Sequence, residues 1–154
     1  MTEVSIIIPT KNEEIYLPKL LESIKRQGLR NLEIIVADSQ STDKTGEIAK
    51  SFGCRIVKGG LPAVGRNNGA IKAEGDILIF IDADVVLPDN FLIPVLSEFE
   101  TRKLDVAGTL QTPVIVDSWF KDLENKFYYE VANHWMKYFQ RSSKPFMQVC
   151  MFAR

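Results

Sequence analysis

This 154-residue sequence has only one histidine, His134, and two cysteines, Cys54 and Cys150. The cysteines stand far apart without CxxC spacing, which argues against a zinc site and fits a reducing compartment. An excess of charge of one sign is also missing. Its 19 basic and 20 acidic residues leave a net charge of −1, so no basic field is available to hold nucleic acid. No apolar run approaches the roughly 18 residues a bilayer span needs. No basic region leads an apolar one at the start of the chain, as a signal peptide would require. A cytoplasmic protein is the expectation, with peripheral attachment the remaining route to a membrane. The glycine-rich dinucleotide fingerprint does not follow the first strand-like segment, and GxxxxGKS/T occurs nowhere.

What is present is globular and alternating. Apolar residues make up 45% and charged residues 25%, as in an ordinary folded domain. A chain of this length buries about 70% of its unfolded surface. Residues 4–8 are β-branched and apolar except for Ser5 up to Pro9, the pattern of a strand covered on both faces in a parallel sheet. Thr10 and Glu13 have capping-box spacing ahead of a helix whose stripe is Leu17, Leu20, Leu21 and Ile24, with Pro18 in its first turn and Gly28 at its end. Residues 32–37 form a second strand that stops at Asp38. A polar turn follows, then a short helix through Ile48 and Ala49.

A third strand falls at 54–57. A helix at 62–73 follows despite Gly65 and Gly69, each of which costs about 1 kcal/mol against alanine unless packing or a ligand compensates. Residues 77–81 make a fourth strand. A helix starts near Pro88-Asp89-Asn90, with Phe91, Leu92, Val95, Leu96 and Phe99 as its apolar face, and a fifth strand is expected at 104–110. Strands alternating with helices through short loops predict an α/β fold, with a mainly parallel, Rossmann-like central sheet flanked by helices. Residues 118–140 read as a long aromatic-rich helix, either core or a face for self-association or a membrane surface. Residues 145–153 read as a strand.

The chemistry gathers at strand ends. Residues 77–81 run into Asp82-Ala83-Asp84. In extended backbone the two carboxylates would point to the same side, repel one another, and be relieved by a divalent cation held by oxygen ligands. A solvated turn is the plainer alternative. Thr10 and Glu13 after the first strand, Asp38 after the second and Asp82/Asp84 after the fourth should meet at one edge of the sheet, where α/β folds bind ligands. Asp38 can accept a base N–H, and Glu13 can hold a base or ribose group. A metal on Asp84 can neutralise a diphosphate, and Arg66 and Asn67 can donate to the nucleotide. Each also has a local explanation: Asp38 as a helix cap, Glu13 as part of the capping box, Arg66 as a surface residue.

Four segments in this order and spacing, SIIIPTKNEE at 5–14, IIVADSQSTDKTGEIAK at 34–50, GRNNGAIKAEGDILIFIDAD at 65–84 and LPDNFL at 87–92, resemble the family-2 glycosyltransferases with the GT-A fold. The Asp-Ala-Asp form is similar to that of polyprenol-phosphate sugar transferases. The resemblance implies that Pro9, Thr10 and Glu13 border the nucleoside, and that Asp38 binds the base at a uracil-type imide N–H. It implies that Arg66 approaches the nucleotide, that Asp82 faces ribose or metal, and that Asp84 holds Mn²⁺ or Mg²⁺ on the diphosphate of a UDP- or GDP-linked sugar. The implied reaction is inverting transfer to a saccharide, protein or polyprenol-phosphate acceptor.

Family members usually continue past a segment like VCMFAR into a Gly-Gly-Phe stretch and an acidic pair that supplies the general base. This sequence stops at Arg154. Asp105, Asp117 and Asp122 match no such motif, so the catalytic base is unassigned. The expectation is therefore a single GT-A-type domain over 1–154, with 1–112 the donor-binding core and 113–154 the start of an acceptor-side region. A catalytically incomplete nucleotide-sugar-binding fragment or subunit is one alternative, and a sugar nucleotidyltransferase a second.

Overall fold

The computed structural model describes residues 3–109 and 150–154. The chain divides into two units, 1–107 with 150–154, and 108–149. The second lies almost wholly outside the described residues, and the expected 118–140 helix with it.

The apolar run of the first segment becomes β1 (Val4–Thr10), followed by α1 (Leu17–Lys25), β2 (Leu32–Asp38), α2 (Thr45–Ser51), β3 (Arg55–Lys58), α3 (Pro62–Lys72), β4 (Ile77–Ile81), α4 (Leu92–Thr101), β5 (Val106–Gly108) and β6 (Cys150–Ala153). They build a six-stranded sheet in the order β3-β2-β1-β4-β6-β5. β1 pairs in parallel with β2 from Val4↔Leu32 to Thr10↔Asp38, and with β4 from Val4↔Ile77 to Ile7↔Phe80. β2 pairs in parallel with β3. β6 runs antiparallel to β4, from Leu78↔Ala153 to Ile81↔Cys150. The alternating α/β pattern read from the sequence is thus present, with an antiparallel strand added on the β4 side.

Side-chain alternation along β1 explains why both faces of the sheet are apolar. Ile6 and Ile8 face a core shared with Leu17, Leu20, Leu21 and Ile24 of α1, Ala49 of α2, and Leu92, Leu96 and Phe99 of α4. Ile7 faces the other way, with Ile35, Phe80 and the α3 side of the sheet. Gly65 and Gly69 stand on that side for a steric reason. A Cβ at Gly69 would overlap Ile7 Cγ2, and one at Gly65 would lie 3.3 Å from Pro9 Cβ. The glycines let α3 rest directly on β1, so packing compensates their helix cost.

Several local expectations give way to tertiary contacts. The Thr10–Glu13 capping box does not form. Thr10 is the last residue of β1, and α1 starts later, with its Tyr16 and Leu17 amides bonded to the Glu13 carbonyl. The fifth strand shortens to Val106–Gly108. α4 begins at Leu92 rather than at Pro88, because Asn90 sits at φ +56°, outside helical geometry.

Candidate functional site

β1 is the point where the sheet changes direction. From β1 the chain moves to β2 and β3 on one side, then crosses to β4 on the other. Crevices at such switch points, outside the carboxyl ends of the strands, are where open α/β sheets take ligands. The register brings Thr10 level with Asp38. β1 and β4 run in register up to Ile7↔Phe80, and Asp82 follows directly where β4 ends at Ile81.

Two loops on the β1–β2 side are stapled together. Thr10 Oγ1 donates to Asp38 Oδ1 (3.1 Å). Ser41 donates to the same carboxylate twice, by its backbone N–H (3.0 Å) and its hydroxyl (2.5 Å). Asn12, held at φ +57°, donates its N–H to Ser41 Oγ (2.8 Å) and accepts the Thr42 N–H on Oδ1 (2.9 Å). The Glu13 amide donates to Thr45 Oγ1 (2.8 Å), while the Glu14 amide donates to Asp43 (3.1 Å). Asp38 therefore braces the turn that follows it while sitting at the sheet edge; it does not cap α2, which starts only at Thr45 and has no side-chain cap. The signal for Ser41, Asn12 and Asp43 lay in the polar TKNEE and DSQSTD turns. Their pairing across 30 residues of sequence has no local signature.

The carboxylates sit on the β4 side. β4 stops at Ile81, and the chain turns at once, with the Val85 amide bonded to the Asp82 carbonyl (3.2 Å). Asp82 and Asp84 are therefore brought near each other by a turn, not by strand alternation. Asp82 is half-buried and paired with the Arg66 guanidinium, which reaches down from α3. Burial raises the Asp82 pKa, the Arg66 charge and hydrogen bond pull it back without cancelling the rise, and Asp84 adds to it. Asp84 is exposed and makes no hydrogen bond or ion pair among the described residues. Glu13 joins the same field. Its pKa is raised by burial and then by Asp84, Asp43 and Asp82. Thr10, Glu13, Asp38, Arg66, Asp82 and Asp84 thus occupy one edge, with Pro9 beneath α3. Asn67 is exposed on α3, next to Arg66 in sequence.

Among the described residues no group of three or more His, Cys, Asp or Glu could hold a metal by itself. Asp82 and Asp84 do fit an ion that takes one or two carboxylates and completes its shell with substrate phosphates, the habit of Mg²⁺. Cys54 is a poor nucleophile, since burial pushes its thiol up to about 11 against the opposing charge of Lys25.

A mainly parallel sheet with acidic residues at its switch point and one antiparallel strand has the architecture of the GT-A fold. The chain belongs to glycosyl transferase family 2, whose profile matches residues 5–153. It is 38% identical over 109 residues to a 4,4'-diaponeurosporenoate glycosyltransferase of Staphylococcus haemolyticus, covering 65% of this chain and 29% of the relative. It is 35% identical over 118 residues to a GalNAc(5)-diNAcBac-PP-undecaprenol beta-1,3-glucosyltransferase of Campylobacter jejuni, covering 70% of this chain and 38% of that protein. The crystal structure of TarS residues 1–349 from Staphylococcus aureus in complex with UDP-GlcNAc superposes with a TM-score of 0.62 at 26% identity, over 74% of this chain and 37% of TarS. The chain thus spans well under half the length of these relatives. No helix among the described residues is long and apolar enough to cross a membrane.

Proposed function

We propose that this chain is the nucleotide-sugar-binding part of a metal-assisted glycosyltransferase, one that moves a sugar from a UDP- or GDP-linked donor to an acceptor hydroxyl or phosphate with inversion. The observation that carries the reading is the gathering of Thr10, Glu13, Asp38, Arg66, Asp82 and Asp84 at the switch point of the sheet. Asp38, oriented by Thr10 and Ser41, offers its carboxylate to a base N–H. Pro9, Thr10 and Glu13 border the nucleoside. Arg66 and Asn67 supply donors on the phosphate side. Asp84, with Asp82 beside the ribose, would hold Mn²⁺ or Mg²⁺ on the diphosphate. There the ion would neutralise charge on the departing nucleoside diphosphate. The neighbouring TarS structure holds UDP-GlcNAc, which supports a nucleotide-sugar donor. The Campylobacter relative is named for a beta-1,3 transfer to a saccharide carried on PP-undecaprenol, which supports a saccharide hydroxyl, lipid-linked in that protein, among the acceptor classes. In this reading residues 1–112 are the donor core. Residues 113–154 open the acceptor side.

Isothermal calorimetry with UDP, GDP and their sugars, with and without MnCl₂ or MgCl₂, tests the reading. A nucleoside diphosphate that binds more tightly with metal is the expected result. Absence of metal-dependent binding for every nucleotide overturns it.

A further inference from the structure

Asp84 is exposed and partnerless among the described residues, so its position is set by its backbone alone. That backbone is held in two places. Behind it is Ile81, in the sheet. Ahead of it the chain runs from Val85 to Phe91 without a helix or strand, and this stretch is tied to α1 by two buried polar side chains.

Gln27, just past the end of α1 and 2% exposed, uses its whole amide. Its Nε2 donates to the Ser23 carbonyl (3.1 Å) and the Pro88 carbonyl (2.8 Å). Its Oε1 accepts the Phe91 amide (2.8 Å) and the Leu92 amide (3.0 Å). Ser23, fully buried, donates to the Leu20 carbonyl (2.7 Å) and accepts the Leu87 amide (3.1 Å). Four backbone groups between Leu87 and Leu92 therefore end on two side chains, one in α1 and one just past its end. α4 has no cap of its own, and Gln27 takes N–H groups that would otherwise be orphaned at its start. Leu87, the first anchored residue, is three positions from Asp84.

We propose that Gln27 and Ser23 are positioning residues for Asp84, clamping the 84–92 segment to α1 so that the exposed carboxylate meets the donor's metal–diphosphate group without rearrangement. The inference rests on the donor reading above. Groups that orient a metal ligand from behind typically change metal affinity by about 10–100-fold when removed.

The test uses the full chain and three variants. Gln27→Leu keeps the volume and deletes all four hydrogen bonds. Ser23→Ala deletes the Leu87 anchor alone, and carries the test if Gln27→Leu does not fold. Leu96→Ala opens the α4 core without touching the clamp. Each variant is held below its melting temperature. UDP and GDP binding is then measured with and without MnCl₂, and hydrogen exchange is followed at the 84–87 amides without ligand. The expected result is faster exchange at 84–87 and about tenfold weaker Mn²⁺-dependent binding in the clamp variants. Metal-free nucleotide affinity stays unchanged in both, and Leu96→Ala keeps its metal-dependent affinity. Clamp variants that bind like the unaltered chain overturn the inference. So does a loss in Leu96→Ala equal to theirs, because the role would then be stability alone. An unaltered chain that gains nothing from Mn²⁺ removes the donor reading, and the inference falls with it.

Discussion

At the scale of single residues, the site is a balance between one arginine and several carboxylates. Arg66 and Asp82 have side chains only 15% and 30% exposed, so their attraction is less screened than at the surface, and so is the penalty for breaking it. Replacing Arg66 with Met leaves Asp82 half-buried without its cation. Urea unfolding should show a loss of about 1 kcal/mol, accompanied by loss of nucleotide affinity. Glu13 makes a complementary prediction. Burial and three neighbouring aspartates raise its pKa above the ordinary 4.5, so the folded state binds this proton more tightly than the unfolded state does. Below the ordinary value both states are protonated and there is no penalty. As pH rises through the raised folded value the proton is lost, and stability falls. Glu13→Gln removes that penalty. Its melting temperature should exceed that of the unaltered chain at pH 7 and converge with it near about pH 3. A gap that persists in acid would refute the electrostatic origin.

At the scale of elements, the tightest constraint is α3 against β1. A methyl group added at position 69 would overlap Ile7 Cγ2. Gly69→Ala therefore gains about 1 kcal/mol of helix propensity but must push α3 off the sheet. Overpacking of this kind costs about 1–3 kcal/mol, so denaturant unfolding should show a net loss despite the better helix former. On the opposite side, Phe152 of β6 is fully buried against Phe99 of α4, ring centroids 6.2 Å apart. Phe152→Ala should cost about 3–5 kcal/mol by the same assay. These two sites mark what the sequence could and could not reveal. Strands 4–8, 32–37 and 77–81 were legible because each is a run of strand length, apolar but for Ser5 and Glu33, bounded by a proline, an aspartate or a turn. The stripe Leu17, Leu20, Leu21, Ile24 was legible by its period. The glycines of α3 were visible as a helix cost, but the side chain they make room for was not. The distant Gln27 cap on α4, the Thr10–Asp38 bond and the slot that β6 takes beside β4 all join residues between 28 and 75 positions apart. Local patterns carry no record of such partners.

At the scale of the whole molecule, the sheet order decides how ligands should cooperate. The β3-β2-β1-β4 half puts the Asp38 loop and the Asp82/Asp84 turn on either side of β1, so a base and a diphosphate could be held from opposite sides of one crevice. In the proposed reading the metal half is incomplete alone, since no three metal-ligating side chains gather among the described residues, and Arg66 already occupies Asp82. An ion that must borrow phosphate oxygens cannot bind ahead of the nucleotide with useful affinity. MnCl₂ alone should therefore leave the melting temperature unchanged. UDP or GDP alone should raise it modestly. The two together should raise it by more than the sum, because each supplies ligands the other needs. At about 100 times the dissociation constant, the complex gains about 3 kcal/mol, a shift on the order of 5–10 °C for a chain of this size. Asp84→Asn should abolish the excess over nucleotide alone while preserving the nucleotide's own shift, since Asp38 lies across β1 from the altered group. If MnCl₂ alone gives the full shift, the ion is held by protein ligands only, and the crevice does not depend on the donor to complete it.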